Sequence, residues 1–215
     1  MERAATEMNF FLHKTPQIVS SFFPNYRWRF DGTGRKIFLT FDDGPIPDVT
    51  EFVLEKLQEY NAKATFFCIG NNVVKNRPIF DKIVEQGHAF GNHTYSHLRG
   101  WDVETDVYFG DFEKCQAVLP PTQLFRPPYG RISKSQAKLI RAENEIIMWD
   151  VLTGDYAADL NPERILKKTL HHTESGSIVL FHDSLKAQKN MCFVLPKFLD
   201  YFSEKGFTFE AIPQR

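Results

Sequence analysis

Several features that would mark a special class are scarce or absent in this 215-residue chain. Only three cysteines occur, Cys68, Cys115 and Cys192, odd in number, far apart and without a C-x-x-C spacing. That argues against a disulfide framework or a thiolate zinc centre. Charge of one sign is missing too. The 26 Lys and Arg balance 27 Asp and Glu to a net charge of -1, so no bulk electrostatic attraction draws the chain to nucleic acid or to an anionic membrane. No apolar run approaches the roughly 18 residues needed to span a bilayer, and an integral membrane protein is not expected. The first residues have only short apolar patches, broken by His13, Lys14 and Pro16. They do not match a secretory leader, so a cytoplasmic location is expected. Internal repeats, linkers and low-complexity tracts are absent. The length suits one domain with a substantial core. What is abundant is phenylalanine, with 21 residues, which predicts a core and loop layer packed with aromatic rings.

From Lys36 onward short apolar runs alternate with longer amphipathic ones. The pattern predicts strands over Lys36–Asp42, Ala62–Ile69, His88–Asn92, Leu124–Pro127, Glu145–Val151, Ser177–His182 and Thr208–Ile212, bounded by Gly, Pro, Asn and Asp. It predicts helices over Val49–Tyr60, Pro78–Gln86, Asp102–Val118, Ser133–Ala142, Pro162–His172 and Lys189–Glu204. Strands alternating with helices predict one α/β domain with a mainly parallel sheet over 36–215. The pattern leaves open whether that sheet closes into a barrel. Residues 1–35 lack the rhythm and read as an aromatic-rich lead-in packed on the domain.

The chemically capable side chains fall at the C-terminal ends of these strands, the edge at which parallel α/β folds bind ligands. Thr40-Phe41-Asp42-Asp43-Gly44-Pro45 ends the first strand in two carboxylates. Side chains alternate along a strand, so one can bind a cation while its neighbour stays free as a base; a solvated turn would account for the pair equally well. His93 and His97 stand at i and i+4, a spacing that on a helical turn suits chelation of one metal, with a structural pair of histidines as the competing reading. With Asp43 they make a His₂-carboxylate set, the composition of an open zinc site. Arg126, in the stiff Phe125–Arg131 loop, is suited to bidentate pairing with a carboxylate, although a plain turn with a surface arginine fits the loop in isolation. Asp155 follows the fifth strand and could orient a histidine, or could be no more than an N-cap at a strand end. His182 ends the buried run Ser177–Asp183, where a single histidine taken alone reads first as a satisfied core residue. His13, His88, His171 and His172 read as structural. Trp101 reads as a sugar-stacking ring or as packing beside the histidine loop.

Taken together and in order, TFDDGP, HTYSH, RPPYG, WDVLTGDY and IVLFH resemble the polysaccharide deacetylases of carbohydrate esterase family 4, from about Lys36 to Ile212. The resemblance implies a distorted (β/α)₇ barrel in a single domain. It implies a divalent ion, zinc in the first instance, held by Asp43, His93 and His97, with Asp42 as catalytic base and Arg126 as its tether. It gives Tyr129 an oxyanion-binding backbone N–H, His182 the role of general acid, Asp155 that of its tuning partner, and Leu180 and Tyr156 the acetyl pocket. Two positions depart from the family pattern. Tyr156 stands where the family often has Trp, and Leu152 where a second Asp is common, with Asp150 nearby as a candidate replacement. The implied reaction is metal-dependent removal of N-acetyl groups from a sugar or polysaccharide of peptidoglycan or chitin type. The competing readings are an O-acetyl esterase, a metal-free cyclic-amide hydrolase on the same fold, and an inactive carbohydrate-binding barrel.

Overall fold

The first strand sets the architecture. In β1 (Lys36–Asp42), Ile37, Leu39 and Phe41 project outward into the main apolar cluster, while Phe38, Thr40 and Asp42 share the opposite face. Burial on both faces is the signature of a central parallel strand. β1 lies between β2 (Ala64–Cys68) and β7 (Ile178–His182), parallel to both, with Asp42 in register with His182. Beyond β2 come β3 (Ala89–Asn92), β4 (Leu124–Phe125) and β5 (Glu145–Ile146); beyond β7 lies β6 (Val151–Leu152); β8 (Thr208–Phe209) pairs with the start of β1. The computed structural model describes residues 12–157 and 159–214. The first eleven residues of the lead-in fall outside that range.

The sheet curls into the expected distorted (β/α)₇ barrel in one domain. Its seam differs from the expected continuous strand over Glu145–Val151. That stretch is split: Glu145 and Ile146 pair with β4 at one end of the sheet, and Val151 and Leu152 pair with β7 at the other. A single run of chain thus serves both edges. Between the two short strands, Ile147 N–H still donates to Phe125 O at 2.8 Å, whereas Asp150 N–H donates to Ile178 O at 3.0 Å. The strand breaks because its two neighbours diverge, a demand of ring closure that β-propensity does not encode.

The carbonyls along this seam are answered from outside the sheet. Arg27 N–H donates to Ile146 O, Thr15 N–H to Asp150 O and Thr15 Oγ1 to Trp149 O. Those of Ile147 and Met148 accept from the Arg126 guanidinium, Nε at 3.1 Å and Nη2 at 2.8 Å. Residues 13–30 therefore lace across the seam.

The helices α2 (Val49–Glu59), α7 (Pro162–His172) and α8 (Gln188–Glu204) carry stripes that bury Val53, Leu57, Ile165, Val194, Phe198 and Phe202 in the outer cluster. Phenylalanine does much of this packing: Phe41 lies 5.2 Å from Phe66 and 5.7 Å from Phe181, which meets Phe198 edge-on at 5.8 Å. Helix α4 (Arg77–Glu85) and helix α6 (Lys134–Ile140) follow the expected segments closely. Two short helices were not anticipated, α1 (Gln17–Phe22) and α3 (Gly70–Lys75). The helix expected from Asp102 begins later, as α5 (Thr105–Gln116), after a 3₁₀ turn over Gly100–Asp102. All three cysteines are free thiols. Among the described residues, no helix is long and apolar enough to cross a membrane.

Candidate active site

At the C-terminal end of the strands a cleft of about 1030 Å³ opens, and Asp42, Asp43, His93, His97, Tyr129, Tyr156, Leu180 and His182 all line it. Strand alternation places Asp42 inward, two residues beyond Thr40. Asp43 follows with φ at 87°, and the chain turns so that the second carboxylate faces the histidines. This turn is held at nearly every backbone polar group. Asp183 Oδ1 accepts from Gly44 N–H at 2.9 Å, Asn72 donates to Asp43 O at 2.7 Å, Ile69 N–H to Gly44 O, Asn76 to Pro45 O, and Ile46 N–H donates to Thr50 Oγ1. Thr50 in turn donates to Asp183 Oδ2 at 2.6 Å. Gly44 is required here, since a Cβ would sit 1.9 Å from Asp183 Oδ2. Burial pushes the Asp183 carboxyl up to about 8, against the hydrogen bonds from Thr50 and Gly44 that favour its anion.

The histidine pair is not on a helical turn. His93 and His97 lie on a loop in which Thr94 and His97 adopt positive φ, 60° and 59°. Local acceptors stabilise that path. Asp111 Oδ2, on α5, accepts from both Tyr95 N–H and Ser96 N–H at 2.9 Å, Asn92 Oδ1 accepts from Thr94 N–H at 2.8 Å, and Thr94 Oγ1 accepts from Leu98 N–H. The i, i+4 spacing brings the rings to 5.1 Å by a different backbone route from the one the spacing suggests.

Asp43, His93 and His97 each offer one ligand atom, and these lie within 4.8 Å of one another. His97 Nε2 is 3.3 Å from Asp43 Oδ1, and His93 Nε2 is 3.8 Å from it. His93 Nδ1 donates to the Arg126 carbonyl at 2.8 Å, which leaves the Nε2 lone pair directed at the other donors. Burial, with His97 beside it, lowers the His93 pKa to about 3, and burial also lowers that of His97. Both imidazoles are thus neutral at pH 7, the form that binds a metal. The residues fit a divalent cation: two neutral nitrogens and a carboxylate, with room in the cleft for further ligands.

Arg126 is fully buried, its guanidinium 4.1 Å from the centre of the Phe67 ring. Nη1 donates to Asp42 Oδ1 and to Thr40 Oγ1, both at 2.7 Å. The pairing with Asp42 is a single bond rather than a bidentate one, because Nε and Nη2 are committed to the seam carbonyls. Asp42 keeps Oδ2 toward the Asp43–His93–His97 cluster, 3.8 Å from His93 Nε2.

Across the cleft, His182 Nδ1 lies 2.8 Å from Asp155 Oδ1, and the other oxygen of the same carboxylate accepts from His182 backbone N–H at 2.8 Å. Asp155 is itself buried, its carbonyl held by Asn190. Burial alone lowers the His182 pKa. The charge and hydrogen bond of Asp155, with Asp43 and Asp42 behind it, outweigh that and raise it to about 9. The Tyr156 ring stands edge-on to His182 at 4.9 Å, next to Leu180 in the cleft wall.

Tyr129 is 60% exposed, its ring 4.6 Å from His97, and its backbone takes φ at 59°. Its N–H has no protein acceptor among the described residues. Leu152 lines the cleft, but Asp150 does not. Asp150 is tied to Lys14 at 2.8 Å and to Ser177 at 2.6 Å, so it does not replace a cleft carboxylate. Sequence reasoning missed Asp111, Thr50 and Asn72, and placed Asp183 at the rim without giving it a role. Their only signal was an isolated acid, amide or hydroxyl on a helix or after a strand.

Comparison with known proteins bears on this geometry. Residues 30–144 match the model of the family described as polysaccharide deacetylase. A peptidoglycan-N-acetylglucosamine deacetylase of Bacillus cereus is 33% identical over 202 residues, which cover 90% of this chain and 73% of that protein. The peptidoglycan-N-acetylglucosamine deacetylase PgdA of Listeria monocytogenes is 35% identical over 187 residues, covering 85% of this chain but only 39% of the Listeria protein. Among solved structures, that of the Bc1960 peptidoglycan N-acetylglucosamine deacetylase with 4-naphthalen-1-yl-N-oxidanyl-benzamide is similar at a TM-score of 0.85 and 31% identity, covering 93% of this chain and 95% of that one. On its sequence, its barrel and its relatives, the chain belongs to the polysaccharide deacetylase family.

Proposed function

We propose that this protein is a zinc-dependent hydrolase that removes the N-acetyl group from acetamido sugars in a peptidoglycan- or chitin-type glycan. One observation carries the reading: a single cleft joins the Asp43–His93–His97 donor set to an arginine-tethered carboxylate, Asp42, on one side and to an aspartate-backed histidine, His182, on the other. Relatives that act on peptidoglycan N-acetylglucosamine support the substrate class.

Asp43, His93 and His97 would hold the cation, which would supply Lewis acidity toward the acetyl carbonyl and the attacking water. Asp42, fixed by Arg126, takes the proton of the attacking water as it adds to the acetyl carbonyl. The Tyr129 N–H is the donor for the developing oxyanion; such a donor is typically worth about 100- to 1000-fold in rate. His182 enters protonated, with Nδ1 on Asp155, so Nε2 delivers the proton to the departing sugar nitrogen. The products are the free amine and acetate. Leu180 and Tyr156, with Leu152, form the apolar wall for the acetyl methyl.

The test is metal content by elemental analysis in wild type and in His93→Ala/His97→Ala, paired with acetate release from N-acetylglucosamine oligomers and from peptidoglycan. About one zinc per chain, lost together with acetate release in the double variant, is the expected result. Metal-free protein that still hydrolyses, or metal-loaded protein that releases no acetate from any acetylated glycan, would overturn the reading.

A further inference from the structure

The proposed chemistry leaves unused a second feature of the cleft. The loop that presents Tyr129 continues into Arg131, which lines the same cavity. Its guanidinium carbon lies 4.1 Å from the centre of the Trp101 ring, and Trp101 is 56% exposed. The pair is braced from both sides. Trp101 Nε1 donates to Ile132 O at 3.1 Å, Gly100 N–H donates to Arg131 O at 3.0 Å, and Gln136 Nε2 donates to Gly100 O at 2.8 Å. Ring, backbone and guanidinium are therefore positioned before any ligand arrives. An arginine stacked on an indole in this way loses little further freedom on binding.

The charge balance of the cleft says what it would bind. Of the acids that line it, Asp42 is answered by Arg126, Asp43 belongs to the metal donors, and Asp102 lies 3.5 Å from Arg99. Arg131 has neither an ion pair nor a side-chain hydrogen-bond acceptor among the described residues, and neither does Lys186 on the other wall, which sits 5.4 Å from the centre of the Tyr156 ring. Fork-shaped donors without an internal acceptor match a planar, two-oxygen anion. A neutral acetamido sugar offers none.

We propose that Arg131, held over Trp101, is a carboxylate-reading subsite that selects N-acetylated glycans bearing a carboxylate near the sugar being deacetylated. The inference rests on the deacetylase reading of the cleft. Two sources share the chemistry: an acid on the sugar itself, such as a lactyl ether or a uronic acid, and the carboxylates of an attached peptide.

Three substrates separate them: neutral N-acetylglucosamine tetramer, a peptide-free glycan with free sugar carboxylates, and a fragment whose sugar carboxyl is amide-linked to a peptide. For wild type, Arg131→Gln and Arg131→Lys, kcat/KM is measured on each, and binding of the same glycans is followed by calorimetry. Thermal melting checks that the variants fold. The expected result is that Arg131→Gln lowers the ratio of kcat/KM for one carboxylate-bearing substrate over the neutral tetramer by about 10-fold or more, with Arg131→Lys recovering part of it. The substrate that responds identifies the source. Methyl esterification of that substrate should reproduce the loss in wild type. An equal fall on all three substrates would make Arg131 a merely structural brace, and no fall on any would make it a bystander; either overturns the proposal. If wild type turns over none of the glycans but Arg131→Gln abolishes carboxylate-dependent binding, the deacetylase reading fails and the subsite stands.

Discussion

His182 commits both its ring and its backbone N–H to the two oxygens of one carboxylate, so Asp155 sets where the imidazole points as well as how strongly it holds its proton. The sign of the pH dependence follows. A histidine whose pKa is raised to about 9 is protonated below that pH; if His182 is the proposed acid, activity should be lost as pH rises through it. A cation held by Asp43 offsets part of that residue's pull, so the alkaline limb in the loaded enzyme lies at or below about 9. The same raised value contributes to stability fully below pH 6.5 and ceases to do so as pH rises to about 9. In Asp155→Asn the hydrogen bond to the ring can persist while the charge is gone. The alkaline limb of the kcat profile should then move down by about 1 to 3 pH units, and kcat at its optimum should fall. A profile identical to wild type would remove Asp155 from the chemistry.

At the scale of the element, the loop that carries the two proposed ligand histidines depends on a residue that touches neither of their side chains. Asp111, from α5, takes the N–H groups of Tyr95 and Ser96 and so holds the loop between the two histidines in place. Asp111→Ala should weaken zinc binding by about 10- to 100-fold, the usual effect of losing a supporting partner, as read by competition with a chelating dye. Asp111→Asn keeps an acceptor oxygen and should retain most of the affinity. Equal loss in both variants would point to charge rather than loop geometry. This element also marks the limit of what the sequence discloses. The spacing of His93 and His97 points correctly to two rings close together, and wrongly to a helical turn, because a loop folded back through two positive-φ residues brings them equally near. The alternation of β1 puts Asp42 on the inner face with Thr40, and that was legible. Asp111 and Asp183 were not. Each is a single acid whose partners lie outside its own element, backbone N–H groups for Asp111 and the Gly44 N–H and Thr50 hydroxyl for Asp183, and no local pattern records such a bond. Nor was the split of Glu145–Leu152 into two strands, which follows from the circumference of the ring.

For the molecule as a whole, the proposed metal ties distant parts of the chain together. Its donors come from the end of β1 and from the loop after β3, and each donor loop leans on a helix, α3 through Asn72 and α5 through Asp111. A ligand that binds only the folded state stabilises it by mass action, about 2.7 kcal/mol at a free concentration 100 times its dissociation constant. Stripping the protein with a chelator should therefore lower its melting temperature, and zinc should restore it in a concentration-dependent way, with His93→Ala/His97→Ala insensitive to both. A melting temperature indifferent to chelator and zinc would argue against a site that closes on folding.

Arg126 has one consequence of a different kind. The guanidinium that positions Asp42 also supplies two of the hydrogen bonds missing along the barrel seam, at Ile147 O and Met148 O. Selection on chemistry and selection on folding therefore fall on the same side chain. A descendant freed from the need to hydrolyse anything could let Asp42, Asp43 or His182 drift, but discarding Arg126 would leave the buried carbonyls of Ile147 and Met148 without these donors. In a lineage of such chains the arginine would outlive the reaction it serves, and its presence alone would be a poor witness to activity.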